Sequence, residues 1–160
     1  MKKLILLFDL LIFIFQSNAK VKKLYDISAD PSEQLQTAVK EAKKTDKHIM
    51  IQIGGNWCPW CFRFHDFHSD NKELDSMMSA DYILINVNYD PKLNNPFFAK
   101  LDYPQRFGFP VIVILNKYGN RLHTQDSWYL EDGKDGYDYE KFKTFLRNWT
   151  PAAVKPSSYK

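Results

Sequence analysis

Two cysteines occur in the 160-residue chain, and they sit together in the run Trp57-Cys58-Pro59-Trp60-Cys61. A link so short cannot staple distant parts of a domain, so the pair serves chemistry or metal. Proline is favoured just inside a helix start and no breaker follows until about Ser69, so a helix is predicted to begin at Pro59 with Cys58 at its cap. Such a cap turns unsatisfied amide donors and the positive end of the helix dipole toward the first sulfur, which favours its thiolate and makes Cys58 the nucleophile. Cys61, almost one turn later, is near enough to attack a mixed disulfide on Cys58 and release its partner. Cys58 is therefore expected to be the exposed sulfur and Cys61 the one behind it. Pro59 stiffens the turn and donates no amide hydrogen, while Trp60 adds an aromatic surface beside the sulfurs.

The plain alternatives are a structural disulfide, which adds little stability across so small a loop, and half a zinc site. Cys58, Cys61, His65 and His68 could share one helical face. At a rise of about 1.5 Å per residue, however, the first and last lie about 15 Å apart, beyond the reach of one tetrahedral ion. No metal or organic cofactor is assigned. Covalent haem attachment would need histidine after Cys61, where the chain has Phe62. His65, one turn beyond Cys61, is a candidate proton relay, with a surface or packing histidine as the ordinary reading. Phe62, Phe64, Phe67 and Phe107 read as core or connection residues. Trp57, Trp60 and Phe109 are expected beside a substrate groove.

The elements that must hold this site follow from pattern. Asp30-Pro31-Ser32-Glu33 has the cap acid, first-turn proline and third-position glutamate of a helix start, and Leu35, Ala38, Val39 and Ala42 give that helix an apolar face. Residues 48–53 alternate as a strand ended by Gly54-Gly55-Asn56. After the cysteine helix, residues 72–78 form a short helical piece and 82–87 a buried strand. Pro91, Pro96 and Pro104 break the next stretch. Residues 111–115 are a strongly apolar strand, and 121–125 return as its antiparallel partner through the turn Lys117-Tyr118-Gly119-Asn120. Phe142, Phe145, Leu146 and Trp149 fall at helical spacing in 139–149. The order makes an α/β sandwich, a central mixed sheet with helices on both faces and a helix at the N-terminal side.

Composition bounds the remaining possibilities. With 44% hydrophobic residues the chain can bury one core and is too short for two ordinary domains. Its formal charge of +3 comes from 22 basic and 19 acidic residues without a long block of one sign, which gives no footprint for nucleic acid or an anionic membrane. Residues 1–19 have a basic start, an apolar stretch at 4–15 and a small-residue end at Ser17-Asn18-Ala19, the features of a cleavable signal peptide. Asp9 interrupts that stretch, and an uncleaved anchor is the other reading. The division expected is a signal peptide over 1–19, one domain over 20–150 and a flexible tail over 151–160, in an exported protein without stable membrane insertion after cleavage.

The chain resembles the thioredoxin superfamily, particularly its secreted bacterial thioredoxin-like members. The resemblance rests on Trp57-Cys58-Pro59-Trp60-Cys61 after a strand and Gly108-Phe109-Pro110 before a strand, and it spans roughly residues 30–150. It implies a thioredoxin fold, a cis peptide at Pro110 set against the cysteines, and a Phe109 backbone that offers itself to an extended substrate segment. Two departures stand out. Gln52 occupies the place where many thioredoxins bury an acid, and Pro59-Trp60 is nearer the Pro-aromatic pair of glutaredoxins. Periplasmic disulfide oxidases of this fold insert a helical domain before the cis-proline, for which the 48 residues between Cys61 and Pro110 leave no room.

The expected activity is thiol-disulfide exchange through Cys58 and Cys61, reducing disulfides of exported proteins in a periplasmic or secreted setting. Electrons would come from a thiol donor protein, because the chain has no Gly-rich dinucleotide fingerprint. The rivals are net oxidation or isomerisation by the same sulfurs, and a non-catalytic peptide-binding module that keeps the fold.

Overall fold

The carboxylate of Asp30 accepts hydrogen bonds from the amides of Ser32 and Glu33, and with Pro31 in the first turn it starts helix α1, Pro31–Thr45. The helix stops where Asp46 takes a left-handed conformation, φ 57°. The computed structural model that shows this describes residues 23–159; the predicted signal segment, 1–19, lies outside them.

Strand β1, His48–Gly54, is buried at every position, and its alternation feeds two cores. Ile49, Ile51 and Ile53 pack with Ala38 and Ala42 of α1 and with Phe97, Phe98 and Leu101. Met50 packs the other way, against the helices that follow the cysteines. Gln52 shares that second parity, which is why a polar residue there ends up behind the cysteine helix.

Helix α2, Pro59–Ser69, runs without a break, so Cys58 and His68 stay at opposite ends of it. Helix α3, Lys72–Asp81, begins at an Asn71 cap and continues three residues past the predicted end. Strand β2, Tyr82–Asn88, pairs parallel with β1. Predicted as buried, it is a half-covered edge strand: among the described residues only β1 flanks it, and Ile83, Leu84 and Ile85 keep part of their surface. The proline-broken stretch holds a short helix α4, Asn95–Ala99, and a 3-10 turn at Pro104–Phe107.

Strands β3, Val111–Leu115, and β4, Arg121–Asp126, complete a sheet of order β2-β1-β3-β4, with both later pairings antiparallel. Helix α5, Tyr139–Asn148, buries Phe142, Phe145 and Leu146 against the Met50 face. Helices thus cover both faces of a mixed sheet, the thioredoxin-type arrangement expected. Pro156–Tyr159 forms a closing 3-10 turn, and the Tyr159 hydroxyl donates to the Ala153 carbonyl at 2.6 Å. No helix among the described residues is long and apolar enough to cross a membrane.

Candidate active site

Strand β1 delivers its last residue, Gly54, to the rear of the cysteines, and the turn that follows brings Cys58 to the α2 cap. The Cys58 amide donates to the Gly55 carbonyl at 3.0 Å. The Cys61 amide donates to Cys58 Sγ at 3.1 Å, so the first sulfur itself occupies the side-chain acceptor place at the helix start. A thiolate there is stabilised by that amide and by the helix dipole. The two sulfurs are joined in a disulfide, with their Cα atoms 5.3 Å apart.

The order of exposure is as expected, but its degree is not. Cys58 keeps 4% of its surface and Cys61 none. Cys58 was expected to stand open, yet it belongs to a small buried cluster with Cys61 and Tyr25, against which Leu24, Trp60 and Phe109 pack. What opening the pair has to solvent is a narrow window at Cys58.

The peptide between Phe109 and Pro110 is cis, after a Gly108 whose φ of 84° suits glycine. The antiparallel register pairs Ile53 with Val111, which carries Pro110 toward the level of Gly54 and hence of the cysteine cluster. Phe109 meets the exposed indole of Trp57 edge to face at 5.3 Å and leans on Tyr89 at 4.8 Å. Gly55 makes that indole position possible, because a Cβ on it would stand 2.3 Å from Trp57 Nε1. Trp60 packs on the cysteine cluster and on Tyr137 as well. It lies edge-on to Tyr137 at 5.7 Å, under the Arg63 guanidinium at 4.8 Å, and its carbonyl accepts from the Tyr137 hydroxyl at 3.3 Å. Trp57 thus meets Phe109, which packs on the cysteine cluster, while Trp60 bridges that cluster and Tyr137.

His65 lies edge-on to His68 at 5.3 Å. Two further polar side chains lie behind Cys61. Gln52, fully buried, donates through Nε2 to the Cys61 carbonyl at 3.0 Å and to the Tyr25 hydroxyl at 2.8 Å. Burial pushes the Tyr25 phenol well above the ordinary tyrosine pKa, so it stays protonated. Tyr25 was not found from sequence. It precedes the first helix in a segment without periodicity, and Asn56 fixes it there: Asn56 Oδ1 accepts from the amides of Leu24 and Tyr25 at 3.0 Å each, and Nδ2 donates to the Tyr25 carbonyl at 2.8 Å. The only hint lies in the Asn after Gly54-Gly55, a side chain able to serve both donors and acceptors of a passing backbone.

Comparison with known proteins bears on the fold and the family. No match was found among curated proteins. The chain is similar in fold to a disulphide isomerase from Xylella fastidiosa Temecula1, at a TM-score of 0.68 and 21% identity over 79% of this chain and 96% of that one. It is also similar to the C-terminal domain of Neisseria meningitidis DsbD in its oxidised form, at a TM-score of 0.47 and 15% identity over 75% and 97%. The family profile described as Thioredoxin-like matches residues 30–117, more than half of the chain, from α1 through the end of β3 and including both cysteines. With a mixed sheet, a cysteine pair capping the helix after β1 and a cis-proline opening β3, the chain belongs to the thioredoxin-like family.

Proposed function

We propose that the protein is a thiol-disulfide oxidoreductase that reduces disulfides of exported proteins. The single observation that carries this is the Cys58-Cys61 disulfide at a helix start, with a backbone amide on the outer sulfur and full burial of the inner one. In the reduced protein the Cys58 thiolate attacks one sulfur of a substrate disulfide. A Cys58-substrate bond forms and the other substrate sulfur leaves as a thiolate. Cys61, having lost its proton, then attacks Cys58 Sγ. The internal disulfide forms, the substrate departs with both thiols reduced, and two electrons have left the pair.

Trp57 and Phe109 flank the window, and Pro110 and the Phe109 backbone receive an extended segment. Trp60 supports this surface from behind, through its packing. A thiol protein restores the pair, and the setting is periplasmic or extracellular, in keeping with the export signal read in residues 1–19. Net oxidation or isomerisation uses the same two sulfurs, and the direction depends on potential and supply.

The test is covalent trapping. Cys61→Ser is expected to accumulate mixed disulfides with substrate proteins in the exported fraction, and Cys58→Ser to accumulate none. Equal trapping by both variants would overturn the roles assigned. Binding of a peptide that survives replacement of both cysteines, with no turnover by the native protein, would favour the non-catalytic module.

A further inference from the structure

Behind Cys61 lies a polar pair that the exchange reaction, as set out above, leaves unused. Gln52 Nε2 faces the Cys61 carbonyl, which can only accept, so the orientation of the amide is fixed. The same nitrogen donates to Tyr25 Oη. That hydroxyl is thereby occupied as an acceptor, and its own hydrogen must point elsewhere. Gln52 is its one hydrogen-bond partner among the described residues. A buried hydroxyl hydrogen without an acceptor is unfavourable, and a nearby sulfur that becomes an anion during turnover would supply one.

Gly54 shows how near that sulfur is. A Cβ built on it would stand 2.3 Å from Cys61 Sγ and 2.7 Å from Tyr25 Oη, so sulfur and hydroxyl border the same methyl-sized space. Tyr25, Cys58 and Cys61 form one buried cluster. In the disulfide form Cys61 Sγ is bonded to Cys58. Opening that bond frees the sulfur to use the space beside the phenol.

We propose that Tyr25, oriented by Gln52, donates a hydrogen bond to the Cys61 thiolate and so readies the second sulfur for its attack on the mixed disulfide. This rests on the exchange function proposed above. Tyr25 takes no proton from Cys61: the proton leaves to solvent or to the departing substrate thiolate, and the phenol stays intact throughout, consistent with burial holding its proton. Titratable groups approach the cluster from several elements, and Lys23 and Asp26 flank it in the segment before α1. Tyr25 comes from the segment before α1 and Tyr137 from the segment before α5, where its hydroxyl meets the Trp60 carbonyl. On α2 are Cys58, Arg63 over the Trp60 ring, and His65 against His68. Gln52, from β1, is neutral at every pH, so it can orient the phenol but cannot carry the proton itself.

The experiment loads Cys58 with an aromatic thiol as a mixed disulfide and follows release of that thiol by Cys61 across pH. In Tyr25→Phe the midpoint of the release profile is expected to rise by about one pH unit, with release at neutral pH about tenfold slower. The initial attack by Cys58 should stay within about twofold of the native protein. A release profile superimposed on the native one overturns the proposal, even if the variant is less stable, since a purely structural tyrosine would lower stability without moving the midpoint. Should Tyr25→Phe not fold, Gln52→Met decides. It keeps the phenol but removes the donor that polarises it, so a smaller upward move supports the proposal and an unmoved midpoint overturns it. Failure of the native protein itself to release the thiol would instead sink the exchange function, which keeps the two failures apart.

Discussion

At the scale of single residues, the site is tightest at Gly54. A Cβ there would overlap both Cys61 Sγ and Tyr25 Oη, neither of which is the free end of a flexible chain: the sulfur is held in the disulfide, the hydroxyl by its ring and Gln52. Gly54→Ala is expected to cost about 1–3 kcal/mol through overpacking, read as a lower urea midpoint in the oxidised protein. A midpoint equal to that of the native protein would show that the cluster has slack. Cys58 and Cys61 were legible in the sequence because their chemistry depends on local spacing, and Pro110 because it adjoins a recognisable run. Tyr25 was not, since its position depends on capture by Asn56, 31 residues away. The departure at Gln52 was visible as a missing acid, but its two hydrogen bonds required the parity of β1 to be set against α2.

At the scale of elements, α2 carries a second buried polar group at its far end. His68 is nearly fully covered, stacks at 6.3 Å on Phe142, and its Nε2 has no hydrogen-bond partner among the described residues. Burial, with a smaller contribution from His65, lowers its pKa from 6.5 to about 4. The unfolded chain therefore takes up this proton at a higher pH than the folded one. The stability that a neutral His68 permits is complete above about pH 6.5 and is lost as pH falls toward 4, by about 3 kcal/mol across the whole window. Urea unfolding at pH 7 and pH 4.5 should show a steeper loss in the native protein than in His68→Phe, which keeps the ring but cannot titrate. Equal losses would mean that His68 is already protonated in the fold or finds water. The helices were legible because caps and apolar spacing are local signals: Asp30 and Pro31 fixed the start of α1, and Phe142, Phe145 and Leu146 the buried stripe of α5. The exposure of β2 was not, because the apolar run Ile83-Leu84-Ile85 reads alike in a central strand and an edge strand.

At the scale of the molecule, two cores meet in β1, and the active cluster sits where that strand ends, closed from the N-terminal side by Leu24 and Tyr25. Three hydrogen bonds with the Asn56 side chain, two accepted and one donated by it, hold this strap. Asn56→Ala should release it locally, with amide exchange at Leu24 and Tyr25 at least about tenfold faster while β1 and β3 amides keep their protection. Uniform acceleration through the sheet would instead make the strap part of the global fold. The sandwich itself was legible from the order of elements, whereas a two-residue strap without periodicity gives no such signal.

The unequal surface of the two sulfurs has a consequence for traffic through the site. A reagent arriving from solvent meets Cys58 alone, because Cys61 presents no area to it. In the exchange proposed, the molecule is thus loaded at one atom, so in this closed arrangement it carries a single passenger at a time.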